Sequence, residues 1–178
     1  MQKLTELEGA ALGMIATDGP CTPYRVRQFF RKSPSPYWSG SAGAIYPLVR
    51  RLEKQKLITA QPFPTGKRAA SAYRTTEKGQ RQLSQWIIDS GTSERTSGVP
   101  MDPLRTRVRF LAALSPDQQR KFLRSAQAQL RSFAGIVEQD CAAKKGGDVL
   151  SYLTARGALF MSRARVQWIQ EVERTLLG

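Results

Sequence analysis

The sequence predicts a mainly α-helical protein of two domains with a single β-hairpin in the first, and three observations carry that expectation. Apolar residues recur at helical spacing behind capping residues along most of the 178-residue chain. One pair of short segments, flanking Pro64-Thr65-Gly66-Lys67-Arg68, has strand-turn-strand character. A Ser/Thr/Gly-rich stretch, residues 90–101, reads as a linker and places the domains at residues 1–89 and 102–178.

Composition narrows the function classes. A formal charge of +14 and a pI near 10.5 predict a surface that concentrates polyanions, nucleic acid first and anionic membrane second. The excess is spread along the chain, since 14 of the 28 basic and 6 of the 14 acidic residues fall within residues 1–89. Cys21 and Cys141 stand far apart, which fits small core residues in a reduced compartment better than a disulfide framework. With no histidine and no paired cysteines, neither a metal site nor a cofactor is expected. The missing histidine also removes the usual general base, and no carboxylate pair stands out to replace it, so an enzyme is not expected. Glu6 and Glu8 interrupt any signal-peptide pattern and no span is apolar enough for a membrane, so the expected location is the cytoplasm, without membrane partners.

The elements follow in order. Thr5 and Glu8 match a capping box, with Leu4 placed as a staple, ahead of Leu7, Ala10, Ala11, Met14 and Ile15 on one face. This first helix should end near Asp18-Gly19-Pro20. Thr22-Pro23 reads as an N-cap with proline at the first helical position. Tyr24, Val26, Phe29 and Phe30 then supply the apolar side of a second helix, stopped by Ser33-Pro34-Ser35-Pro36. In the stretch Trp38–Ile58, the residues Ile45, Leu48, Val49 and Leu52 form a core-facing stripe at i, i+3, i+4 and i+7, and Leu57 and Ile58 leave the helix. The opposite face carries Tyr46, Arg50, Arg51 and Lys54, groups suited to phosphates and base edges, without the acidic residues that usually balance such a face. Pro47 cannot donate to the carbonyl of Gly43, so the helix is either irregular there or begins close to Tyr46.

Leu57–Phe63 and Ser71–Thr75 read as the strands of a wing with Lys67 and Arg68 at its tip, where cations reach a phosphate backbone or minor groove. Thr76 caps a fourth helix containing Leu83, Trp86, Ile87 and Ile88. The order helix, helix, helix, strand, strand, helix is that of a winged helix-turn-helix domain, with Trp38–Ile58 as its DNA-recognition element. Beyond the linker, Asp102-Pro103 opens a short helix with Leu104, Val108, Leu111 and Leu114 on one side. Ser115-Pro116-Asp117 caps a long helix whose Leu123, Ala126, Leu130, Phe133, Val137 and Cys141 form a seam. Asp148 opens a last helix with Leu150, Leu153, Gly157, Phe160, Ala164 and Trp168 along one stripe. Two long helices alone make a thin core, so these stripes predict a homodimer held by an α-helical dimerisation domain. Its expected contacts are Leu123, Leu130, Phe133, Val137, Leu153, Phe160 and Trp168.

The combination of GAIYPLVRRLEKQKLI, a basic hairpin, and YRTTEKG with a Trp seven residues beyond resembles the PadR family of transcriptional regulators over residues 4–89. The family pattern close to Ser-Gly-Ser-Ile-Tyr-Pro is matched by Ala42-Gly43-Ala44-Ile45-Tyr46-Pro47, followed by Leu52-Glu53 and by Thr76–Gly79. Departures are Pro23 where Gly is usual, Ala44 in place of Ser, and Thr75 where the second strand usually ends in an aliphatic residue. The helical region also resembles, more loosely, the C-terminal dimerisation element of the longer members. The resemblance implies a sequence-specific regulator of double-stranded DNA, most simply a dimeric repressor. Candidate DNA contacts are Tyr24, Ser39, Ser41, Ala42, Tyr46, Arg50, Lys67, Arg68 and Tyr73. It also implies a small aromatic or drug-like effector, for which Phe110, Phe133, Tyr152, Phe160 and Trp168 are candidate pocket residues. The alternative is a winged-helix module that binds nucleic acid without sequence preference, or binds an acidic protein partner.

Overall fold

The computed structural model describes residues 3–33, 38, 40–65, 68–91 and 98–178, which divide into two compact units, Met1–Pro100 and Met101–Gly178. The first unit contains α1 (Glu6–Asp18), α2 (Pro23–Lys32), α3 (Ala42–Lys54), β1 (Ile58–Thr65), β2 (Arg68–Thr75) and α4 (Glu77–Gly91). Thr5 and Glu8 form the full capping box at the head of α1, and Thr22 caps α2 with Pro23 in its first turn. The strands pair antiparallel from Ile58 opposite Thr75 to Thr65 opposite Arg68. Cys21, which the sequence suggested only as a core residue, also exchanges two backbone hydrogen bonds with Tyr73 (3.0 and 2.8 Å) and so adds a one-residue bridge to the hairpin.

One core unites this unit. Leu12 and Ile15 of α1, Val26 and Phe30 of α2, the α3 stripe, Leu57, Ile58 and Leu83 are all buried in it. Two glycines allow its closest approaches. A Cβ on Gly9 would lie 2.2 Å from the Trp86 ring, and one on Gly79 would lie 2.0 Å from the Leu57 carbonyl oxygen. The second contact explains why the Thr76–Gly79 motif and the Leu57 corner belong together. The Thr76 hydroxyl donates to the Lys56 carbonyl (2.8 Å) and its N–H to that of Leu57 (3.0 Å), while Lys78 Nζ reaches the Gln55 carbonyl (2.8 Å). Those carbonyls belong to the end of α3, which closes in a Schellman turn. Leu57 N–H bonds the Leu52 carbonyl (2.9 Å) and Lys56 N–H that of Glu53 (2.8 Å), with Lys56 left-handed at φ 59°.

The second unit contains α5 (Pro103–Val108), a 3₁₀ turn (Leu111–Ala113), α6 (Pro116–Lys144) and α7 (Val149–Leu177). Asp102 caps α5 and holds Arg165 of α7 through two hydrogen bonds of 2.8 and 2.9 Å, fixing the entry of the chain into this unit. α6 and α7 pack along each other around two clusters. Leu123, Ala126, Leu130 and Ile169 centre one, and Val137, Cys141, Ala155 and Leu159 the other. No helix among the described residues is long and apolar enough to cross a membrane.

Candidate nucleic-acid interface

Helix α3 is the centre of the candidate site. Its first turn is set by Ser41, whose hydroxyl accepts the Ala44 N–H (3.2 Å), and by Arg27 of α2, whose Nε donates to the Gly40 carbonyl (3.0 Å). Gly40 lies so close to Arg31 that an added Cβ would meet its backbone nitrogen at 2.8 Å. The helix runs through Pro47 and does not begin at Tyr46, which decides between the two alternatives the sequence left open. Ile45, Leu48, Val49 and Leu52 are fully buried, and this burial faces Gly43, Pro47, Arg50 and Lys54 outward.

The two flanks of that outward face are tied to neighbouring elements. Toward α1, Arg51 Nε donates to Glu8 Oε1 (3.2 Å), and the Glu8 side chain, only 11% exposed, also accepts the Thr5 N–H (3.1 Å) and hydroxyl (3.0 Å). Burial pushes the Glu8 carboxyl up, but the bonds from Thr5 and Arg51 outweigh it and hold it below the ordinary range. The expectation that no acidic residue balances the basic face is therefore corrected, because the counter-charge for Arg51 arrives from another helix. Toward the wing, the Tyr73 hydroxyl donates to Glu53 Oε2 (3.4 Å). Burial, followed by the charge of Glu53, raises the Tyr73 pKa.

The predicted contact residues separate accordingly. Tyr46 (41% exposed) and Arg50 share the solvent side of α3, and Tyr24 is exposed on α2. Ser41 is at the surface, with its oxygen engaged as the helix cap. Ala42 opens α3, and its side chain lies outside the described residues, as do Ser39 and Lys67 altogether. The Arg68 backbone begins β2, while its side chain is likewise outside them. Tyr73 is a correction. At 9% exposure its ring is part of the core, held there by the backbone bridge to Cys21 and by the bond from its hydroxyl to Glu53. Arg27, Glu8 and Glu53 were not recognised as supports of α3. Glu8 was legible only as a capping residue, and its partner is 43 positions away, beyond any local periodicity.

In the helical unit, the expectation that Leu123, Leu130 and Val137 await a second copy is also corrected. They are buried inside a single chain, because Ala155, Leu159, Ser162 and Ile169 of α7 cover the seam of α6. Phe133 and Trp168 pack at the margins of the two clusters. Leu153 (56% exposed) and Phe160 (58%) lie on the open side of α7 together with Leu150 and Met161. The five candidate pocket aromatics do not gather around one cavity within this unit. Phe133 and Tyr152 join the Val137 cluster, Trp168 joins the Leu123 cluster, and Phe110 and Phe160 are exposed.

Helices α1, α2 and α4 packed around one core, a two-stranded wing and a helix presenting Tyr46 and Arg50 to solvent define a winged-helix domain. The model of the transcriptional regulator PadR-like family matches residues 12–85, and that of the virulence activator alpha C-terminal region matches residues 101–176. The first unit of the chain thus matches the PadR-like transcriptional regulators and its second the C-terminal region of the virulence activator. The chain is 24% identical over 176 residues to the negative transcriptional regulator PadR of Bacillus subtilis (strain 168), covering 93% of this chain and 94% of that protein. The crystal structure of Bacillus subtilis PadR in complex with operator DNA superposes with a TM-score of 0.83 at 19% identity, over 96% of this chain and 99% of the other. The same protein in complex with p-coumaric acid gives a TM-score of 0.76 at 18% identity, over 94% of both chains.

Proposed function

We propose that this protein is a cytoplasmic, dimeric, sequence-specific DNA-binding repressor without enzymatic activity, in which α3 enters the major groove and the wing lies along the flanking backbone. The observation that carries the reading is the outward face of α3, where Tyr46 and Arg50 stand on one side of a helix whose other side is locked in the core. Arg50 can pair bidentately with a guanine while Tyr46 offers a hydroxyl and an apolar ring. Lys67 and Arg68 contribute phosphate or minor-groove contacts from the wing. The operator-DNA complex of its Bacillus relative supports this reading, and the p-coumaric acid complex supports a small aromatic effector that releases the DNA. Dimerisation is assigned to the open face of α7, around Leu153 and Phe160.

The test is a titration of the full chain against the duplex upstream of its own gene and against random duplex. Arg50→Ala should cost about 1–3 kcal/mol on the operator and change random binding less. Equal affinity of the wild type for both duplexes would remove sequence specificity from the reading.

A further inference from the structure

Arg51 is oriented differently from the other cations of α3. It stands four residues after Pro47 and three before Lys54, both exposed, so it borders the outward face. Its side chain is 54% exposed although Nε is held by Glu8. Neither terminal nitrogen forms a hydrogen bond among the described residues. Glu8 in turn is fixed by the Thr5 N–H and hydroxyl at the rigid head of α1. A guanidinium anchored at Nε keeps its terminal fork in one plane, and a planar fork is the geometry that meets phosphate oxygens in pairs.

We infer that Arg51 is a pre-oriented phosphate clamp at the edge of the recognition helix and that Glu8 is its positioning residue, holding the guanidinium fork toward the DNA backbone. The inference rests on the DNA-binding reading above. An anchored arginine loses less side-chain freedom on binding than a free one, so a carboxylate close to the interface strengthens DNA binding instead of opposing it. This reverses the sign expected from charge alone. Removing an acidic group from a DNA-binding face ordinarily raises affinity by reducing repulsion from the phosphates.

The experiment measures operator affinity of the full chain across a salt series for wild type, Arg50→Ala, Glu8→Gln, Arg51→Ala, Arg51→Lys and Thr5→Ala, all well below their unfolding temperatures. Glu8→Gln should weaken binding about tenfold. Arg51→Ala should weaken it at least as much and flatten the salt slope by about two units for a dimer, one phosphate per protomer. Arg51→Lys keeps the charge without the fork, so it should retain the slope and lose affinity. Thr5→Ala keeps the Thr5 N–H bond and the Glu8–Arg51 pair but removes one of the two holds on Glu8, so it should lower the melting temperature and weaken operator binding by less than Glu8→Gln does. Tighter binding by Glu8→Gln, or a wild-type salt slope in Arg51→Ala, overturns the inference while wild type and Arg50→Ala still behave as a DNA reader should. Absence of wild-type binding overturns the DNA-binding reading and the inference together.

Discussion

The Tyr73 hydroxyl donates to Glu53 across 3.4 Å, joining β2 to the last turn of α3. The ring beneath it is core and the hydroxyl is a tether, so two substitutions should separate the roles. Tyr73→Phe keeps the packing and loses one long hydrogen bond, for a change of about 0.5–1 kcal/mol in unfolding free energy and no change in operator affinity. Tyr73→Ala empties a core position and should cost about 3–5 kcal/mol. Denaturant unfolding measures both stabilities, and a Phe variant with weakened operator binding would return Tyr73 to the DNA-contact set.

Thr75 should be replaceable with advantage. Its hydroxyl oxygen is buried and has no hydrogen-bond partner among the described residues, at the position where the sequence pattern departs from an aliphatic residue. Thr75→Val exchanges that hydroxyl for a methyl of the same shape and is expected to stabilise the chain by about 1 kcal/mol. A rise in melting temperature checks it, and a fall would mean that the hydroxyl is hydrogen-bonded in solution.

Glu8 gives stability an acid limb. Its folded-state pKa lies below the ordinary value of 4.5, because its bonds from Thr5 and Arg51 outweigh the effect of burial. A depressed carboxyl contributes stability that is fully present above the unfolded value and is lost as pH falls through the folded one. The stability difference between wild type and Glu8→Gln should therefore be constant above about pH 5 and narrow progressively below about pH 4.5. Thermal melts at a series of pH values measure the difference. A gap that widens on acidification would show that Glu8 is not held as the anion.

Phe160 tests the proposed dimer face. It is exposed on α7, with the Arg156 guanidinium 4.6 Å from its ring centroid. Phe160→Asp should leave the protomer folded, with unchanged far-ultraviolet circular dichroism, while shifting sedimentation toward the monomer. Operator affinity should then drop through loss of the second half-site. A dimer of wild-type strength in this variant would move the interface elsewhere.

Local signals and tertiary packing divided the determination of this protein between them. The sequence alone determined the helices, their caps and the apolar stripe that seats α3 in the core. A capping box such as Thr5/Glu8 and a stripe such as Ile45, Leu48, Val49 and Leu52 act over three to seven residues, within reach of backbone geometry. The tertiary structure decided what each outward or inward group meets. Glu8 became the partner of Arg51, Tyr73 became core under Glu53, and Cys21 became a strand bridge, all through contacts spanning at least 20 positions that no periodicity encodes. The helical unit makes the same distinction. The apolar spacing of α6 specified a seam, but a seam carries no label for its partner, and only the packing showed that Ala155, Leu159, Ser162 and Ile169 of the same chain cover it while Leu153 and Phe160 stay open.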